Sequence, residues 1–198
     1  MTVAATARGG PGATHRFVDR GAITAAWVGV GMAVTIGVSF LLVIPIEPIY
    51  WYLALPAGLL IGYYANARSE RAGGPWPRIL LNGLVAGLAT GLTYALLLLA
   101  VKALFFSVDN GYRDVSAGGS LTCSTGVDCV YQRYLAAGQG PALEAAGVTD
   151  AASFGQLYWR EQLSSAVTVF GLATGGALGG AFLFGVTNRR RPEEARAA

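Results

Sequence analysis

The chain has 198 residues, of which 54% are hydrophobic and only 13% are charged, with a formal net charge of +3. A soluble globular domain usually has about 25% charged residues, because most of its surface faces water. The composition therefore excludes an ordinary water-soluble fold and predicts a membrane protein. Thirteen of the fourteen basic residues are Arg. This bias, together with abundant Ala and Gly, is typical of a bacterial protein from a GC-rich genome.

The amino-terminal segment, residues 1–21, is rich in Gly, Ala, Thr and Arg and predicts a flexible tail. The first apolar run, 22–46, follows directly and contains no charged residue. As a helix it would extend about 37 Å, whereas a hydrocarbon core is about 30 Å thick. The run is also longer than the apolar part of a cleaved signal peptide, which has about 7–15 residues. We therefore expect a membrane span that stays in the protein.

The second apolar run, 49–64, is the shortest and would extend about 24 Å as a helix. Pro45 and Pro48 precede it and predict a tight turn, because each lacks an amide hydrogen and restricts the residue before it. Pro56 lies near the middle of the run. Aromatic residues lie at both ends, as expected at membrane–water interfaces. They are Tyr50, Trp51, Tyr52, Tyr63 and Tyr64. We predict a second span, with a kinked or re-entrant segment as the alternative.

Two further runs, 79–101 and 164–186, contain 23 uncharged residues each and predict spans. A short polar loop, 65–78, leads into the first of them. The region between them, 106–163, is longer than an unstructured connection usually is, so we expect it to be structured. Asn110 and Gly111 predict a hairpin turn in this region. Short helices are predicted at 130–137 and 142–146.

Asp150 predicts the N-cap of a further helix with an apolar stripe. This helix either continues into the fourth span or lies on the outer membrane surface.

The charge distribution predicts how the chain is threaded. The two tails and the 65–78 loop contain ten basic and four acidic residues, whereas 106–163 contains three basic and six acidic ones. Basic residues concentrate on the cytoplasmic side of membrane proteins. We therefore predict an all-α, multi-pass protein of the plasma membrane, with four transmembrane helices in a membrane domain, 22–186. Both tails, 1–21 and 187–198, are predicted to be cytoplasmic, and the structured 106–163 loop extracytoplasmic.

The two cysteines, Cys123 and Cys129, both lie in this loop. An oxidising compartment would let them form a structural disulfide. Two free thiols and a redox pair are the alternatives. Two cysteines cannot complete a four-coordinate zinc site, and a five-residue spacer is not the Cys-x-x-Cys of a redox catalyst.

Small residues recur at every fourth position in all four predicted spans. Such rows let helix backbones approach closely, and packing contacts then replace the hydrophobic driving force that lipid does not provide. The helix-packing rows are Gly29, Ala33 and Gly37; Ala54, Gly58 and Gly62; Gly83, Gly87 and Gly91; and Gly171, Gly175 and Gly179. Either they pack the spans against one another, or one row faces outward and mediates association.

Charged residues inside a span are the usual sign of function in a membrane protein. Only Glu47 and Lys102 approach this position, both at the predicted outer boundary, and we consider an ion pair between them. The sole histidine, His15, lies in the predicted tail. The sequence therefore predicts no catalytic site, no metal site and no cofactor.

We predict a non-catalytic accessory, assembly or interaction subunit. Its expected partners are membrane lipid, further copies of itself and other membrane-protein subunits, and not nucleic acid. The alternative is a small transporter or channel component, in which hydroxyl side chains line a narrow polar path. The candidate residues for such a path are Thr90, Thr93, Tyr94, Thr168 and Thr174.

Overall fold

The computed structural model describes residues 18–43, 47–69, 74–108 and 123–197, with side chains as far as residue 188. All secondary structure in these ranges is helical, which confirms the all-α class. The elements are α1 (Arg20–Gly37), continued by a π-helical segment (Val38–Val43); α2 (Glu47–Ala67); α3 (Trp76–Val108); α4 (Val127–Ala136); α5 (Gly140–Ala145); and α6 (Ala151–Ala197).

Among the residues that the structure describes, three stretches are long and apolar enough to cross a membrane: Arg20–Val43, Trp76–Val108 and Ala151–Asn188. They identify the chain as a membrane protein. Helix α2 is not among them. Its tyrosines, Trp51 and two prolines lower its mean hydropathy, although it contains 21 residues.

Helix α2 is longer than the predicted 49–64 because neither proline ends it. Pro48 lies in the first turn, where its missing amide hydrogen breaks no helix hydrogen bond. Pro56 lies inside the helix, which nevertheless continues to Ala67. Pro45 lies outside the described residues. The uninterrupted helix therefore gives no support to the re-entrant alternative.

Helix α6 contains 47 residues and is continuous from Ala151 into the last predicted span. The alternative of a separate helix on the membrane surface is therefore wrong. At its other end, α6 continues to Ala197, although we predicted a tail from residue 187. The Arg, Glu and Ala residues there favour a helix, whereas Pro192, inside the same stretch, disfavours one.

Close approaches between small residues set the relative direction of the helices. Gly58 lies against the backbone of Ala173, and Gly62 lies against that of Ala177. A step of four residues along α2 therefore moves the contact four residues forward along α6, so the two helices are parallel.

Helices α1 and α3 run in the opposite direction. Gly83 approaches Ala181 and Gly91 approaches Phe170, so α3 is antiparallel to α6. Gly29 approaches Thr90, and Gly37 approaches Leu97 seven residues further along α3, so α1 and α3 are parallel. The four long helices therefore alternate in direction.

A small cap, residues 123–163, covers the end of the bundle where α3 finishes. It packs α4, α5 and the start of α6 around Leu143, Val148 and Phe154. Phe106 of α3 stacks on Tyr158 of α6, with ring centroids 4.7 Å apart, and so joins the cap to the bundle. We call this the cap end, and the opposite end, where α1 begins, the tail end.

The cap helices lie close to their predicted positions. Gly138 and Gly147 follow the ends of α4 and α5 with φ values of +76° and +80°. Glycine adopts this left-handed conformation without a steric penalty and so ends each helix. Asp150 caps α6 as predicted, since the backbone amide of Ser153 donates to its Oδ1 at 2.7 Å. The hairpin predicted at Asn110 lies outside the described residues.

Candidate functional site

The predicted boundary pair lies at the cap end. Glu47 is the first residue of α2, and Lys102 lies in the last two turns of α3. Their side chains form an ion pair, with 2.5 Å between Lys102 Nζ and Glu47 Oε2. The side chain of Lys102 is 14% exposed and that of Glu47 is 36% exposed. The pair is therefore half-buried and joins two helices across the rim of the bundle.

Two tyrosines lie one layer deeper. The Tyr50 hydroxyl donates to the backbone carbonyl of Tyr94 at 2.6 Å, and the two rings are 5.1 Å apart. This contact holds α2 against α3 below the ion pair. Two buried polar atoms nearby, Trp51 Nε1 and Tyr94 Oη, have no hydrogen-bond partner among the described residues.

An open groove runs along α2 beside the ion pair. It encloses 660 Å³, a volume within the range of about 300–1,000 Å³ that ligand pockets have. Leu172 of α6 forms one wall, and the rest belongs to α2. The α2 residues are Glu47, Pro48, Trp51, Tyr52 and Leu55. The groove is mostly apolar, and Glu47 is the one charged residue of its lining.

The tail end contains a second polar cluster, which joins three helices. Asp19 Oδ2 accepts hydrogen bonds from Ser69 Oγ at 2.6 Å and from Asn82 Nδ2 at 3.1 Å. Asn66 Nδ2 donates to the carbonyls of Gly62 and Ile79, both at 3.1 Å. Asn66 and Asn82 are each only 1% exposed. Because these buried amides have hydrogen-bond partners in the protein, the cluster serves to hold the three helices together.

The predicted flexible tail therefore ends earlier than residue 21, because Asp19 is held by α2 and α3. The two buried asparagines were absent from the sequence prediction. Asn carries no charge, and charged residues are the usual sign of function inside a span. The signal that could have located this cluster was Asn82, whose amide side chain hydrogen-bonds strongly and lies in an otherwise apolar run.

Two predicted glycine rows lie inside the bundle. A Cβ atom added at Gly83 would lie 2.5 Å from the Ala181 side chain, and one at Gly87 would lie 2.6 Å from that of Ala177. Gly91 approaches Thr174 and Phe170 in the same way. On α2, Gly58 and Gly62 lie over backbone carbonyls of α6. These rows contact α6 without space for a larger side chain.

The row of the first span is also internal. Gly29 lies against the Thr90 side chain, and Gly37 lies near Leu97. Ala33 and Ala54 are fully buried within the same core. The first three rows therefore pack the bundle together.

The fourth row has a different position. A Cβ atom added at Gly171, Gly175 or Gly179 would meet nothing within 4 Å. Instead, Gly176 and Gly180 pack against the carbonyls of Leu55 and Leu59 in α2. The spacing of the glycines could not predict which row is packed and which is open, because both rows repeat every fourth residue. One small-residue face of α6 is therefore open, beside an inner face that is packed.

The two cysteines are joined as a disulfide at the edge of the cap, with their Cα atoms 5.4 Å apart. Cys129 is buried in α4, and Cys123 precedes that helix. The bridge therefore fixes the start of α4 to the segment before it.

Three of the five hydroxyl residues of the predicted polar path have different surroundings. Thr90 is fully buried and donates to the Ala86 carbonyl at 2.8 Å. Thr168 is exposed on α6 and donates to the Ser164 carbonyl. Thr174 faces Gly87 between α3 and α6. The hydroxyls of these three threonines are used within a helix or between a helix pair, whereas Tyr94 Oη has no hydrogen-bond partner among the described residues.

In the described part of the chain, no three His, Cys, Asp or Glu residues are grouped in a way that would hold a metal ion. Comparison of the chain with protein-family models, with curated proteins and with solved structures found no match.

Proposed function

We propose that the protein is a multi-pass plasma-membrane protein with four spans and both termini in the cytoplasm. Helix α2 extends from one end of the bundle to the other, which supports a fourth span. Its first residue, Glu47, pairs with Lys102 at the cap end, and Asn66, near its last turn, bonds to the start of α3 at the tail end. Its 21 residues extend about 31 Å, close to the thickness of a hydrocarbon core.

The charge at the two ends supports the orientation. The described tail end includes Arg20, Arg68 and Arg78, whereas the cap carries most of the described carboxylates. Basic residues mark the cytoplasmic side.

Labelling with a membrane-impermeant maleimide tests this orientation. Ala137→Cys lies on the exposed surface of the cap, and Ala67→Cys is exposed at the tail end. We expect the first variant to react in intact cells and the second only after permeabilisation. The oxidised native cysteines do not react with maleimide and so give no background. The reverse pattern would overturn the proposed orientation.

Within the membrane we propose a non-catalytic accessory or assembly role. The open row of Gly171, Gly175 and Gly179 carries this proposal, because a glycine face lets a second helix approach closely. Exposed Val167 and Phe182 flank the row and supply packing surface. A transporter path has less support, because the hydroxyls of Thr90, Thr168 and Thr174 donate to backbone carbonyls of the bundle.

Two matched substitutions test the assembly role. Gly175→Leu adds a side chain where nothing lies nearby, whereas Gly87→Leu collides with Ala177. We expect Gly175→Leu to keep its helicity and thermal stability but to lose its complexes in mild detergent. Gly87→Leu should lose the folded bundle. Unchanged complexes in Gly175→Leu would contradict the proposal.

A further inference from the structure

The groove along α2 has the form of a binding site for an elongated apolar chain. Its α2 residues occupy one face of the helix over two turns, from Glu47 to Leu55, a length of about 12 Å. Tyr52 is 80% exposed, so the groove opens sideways to its surroundings. Because it lies at the end of the bundle, one end of a bound chain would reach the bilayer interface.

The ion pair lies at one end of this groove: Glu47 is the charged residue of its lining, and Lys102, outside the lining, contacts Glu47. Glu47 lines the groove and uses Oε2 for Lys102. A carboxylate has a second oxygen that accepts hydrogen bonds, and an ammonium group has three donors. A headgroup with an ammonium next to a phosphate can therefore contact Glu47 with its cation and Lys102 with its anion.

The carboxylate also discriminates between headgroups. A primary ammonium donates charge-assisted hydrogen bonds to an oxygen of Glu47, whereas a choline group has no N–H to donate. A glycerol headgroup has no cation and leaves only its phosphate charge near the carboxylate. Trp51 and Tyr52 are residue types that favour the headgroup level of a bilayer, which suits this position.

We propose that this groove binds a phosphatidylethanolamine-type lipid. One acyl chain lies against Trp51, Leu55 and Leu172, the ammonium group contacts Glu47, and the phosphate contacts Lys102. The inference concerns the lipid-facing side of α2 and does not depend on the assembly role of α6.

Fluorescence quenching of Trp51 tests the proposal. A full-length variant with Trp27, Trp76 and Trp159 changed to Phe keeps Trp51 alone. It is reconstituted in phosphatidylglycerol vesicles that contain an equal mole fraction of bromine-labelled phosphatidylethanolamine or phosphatidylcholine. We expect about three- to fivefold stronger apparent binding of the ethanolamine lipid, the size that partly exposed charge contacts give. A second variant that keeps only Trp27, which is 72% exposed on α1, should show no preference.

Two variants separate binding from folding. Glu47→Gln should reduce the preference to that of phosphatidylcholine, and circular dichroism reports whether its helices are intact. Leu172→Phe leaves the ion pair unchanged but narrows the groove, so it should weaken quenching by both lipids. Equal quenching of Trp51 by the two lipids in the otherwise unchanged single-Trp protein would overturn the proposal and show ordinary boundary lipid.

Discussion

Asn82 donates a hydrogen bond from Nδ2 to Oδ2 of Asp19, 63 positions earlier in the chain, at a distance of 3.1 Å. The bond ties the N-cap of α1 to the start of α3. The same carboxylate oxygen accepts from Ser69, so the ends of three helices meet at one residue.

Removal of Asn82 should therefore destabilise the bundle. Asn82→Ala leaves the buried Asn66 and the Asp19 carboxylate with fewer partners, which costs about 1–3 kcal/mol for a buried group. Thermal unfolding in detergent measures the change. The control is Thr24→Ala, because Thr24 is exposed and bonds only within its own helix. Equal stability of the two variants would show that the cluster contributes little.

Gly62 should be intolerant of even one methyl group. Its added Cβ would overlap the backbone carbonyl of Ala177, which cannot rotate away as a side chain can. Gly62→Ala should therefore cost about 1–3 kcal/mol of stability, as overpacking does. Gly175→Ala is the matched control and should be neutral or stabilising by up to about 1 kcal/mol, because Ala favours a helix over Gly. Similar losses in both variants would argue against the packing of α2 on α6.

The ion pair of Glu47 and Lys102 should show charge-reversal rescue. Either Glu47→Lys or Lys102→Glu places two like charges side by side. We expect a loss of about 1 kcal/mol in each single variant, because the pair is partly exposed. The double variant should recover most of this loss in a double-mutant cycle of unfolding free energies. Additive losses would mean that the two side chains do not interact energetically.

The disulfide should stabilise the cap more than the bundle. It closes a ring of seven residues, worth about 2.4 kcal/mol on the chain-entropy estimate. Replacing Cys123 and Cys129 by Ser should increase proteolysis of the cap while the membrane helices stay intact. Mass spectrometry of protein alkylated under non-reducing conditions should find no reactive thiol. Two alkylated cysteines would contradict the oxidised state.

The start of α6 should respond to acid. The backbone amide and hydroxyl of Ser153 hydrogen-bond to the Asp150 carboxylate and hold its pKa below the ordinary value of 3.8. The folded state therefore favours the ionised form. This contribution to cap stability is present above pH 3.8 and is lost as the pH falls through the lower folded-state pKa.

Proteolysis of the cap between pH 2 and 6 with an acid-tolerant protease measures this effect. Asp150→Asn is the control, because Asn caps a helix without titrating. We expect wild-type protection to fall at the acid end while the variant changes less. Identical profiles would assign the acid response to other carboxylates.

Several features follow from local sequence alone. Uncharged runs of 23 or more residues marked the three helices that can cross a membrane, since a helix is the structure that satisfies backbone polar groups inside lipid. Asp150 marked a helix start in the cap, because its effect depends on neighbouring backbone atoms only. Periodicity also located the small-residue rows that pack α1, α2 and α3.

Other features needed the tertiary structure. Glycines repeat every fourth residue on two faces of α6, and only the approach of α2 separates the packed Gly176 from the open Gly175. The Asp19 cluster likewise joins residues from three helices, so no local pattern connects them. The sequence by itself determined that this is an apolar, helical membrane protein, because the length and the charge content of each run are properties of consecutive residues. Which faces remain open was decided by helix packing, because that depends on contacts between distant segments.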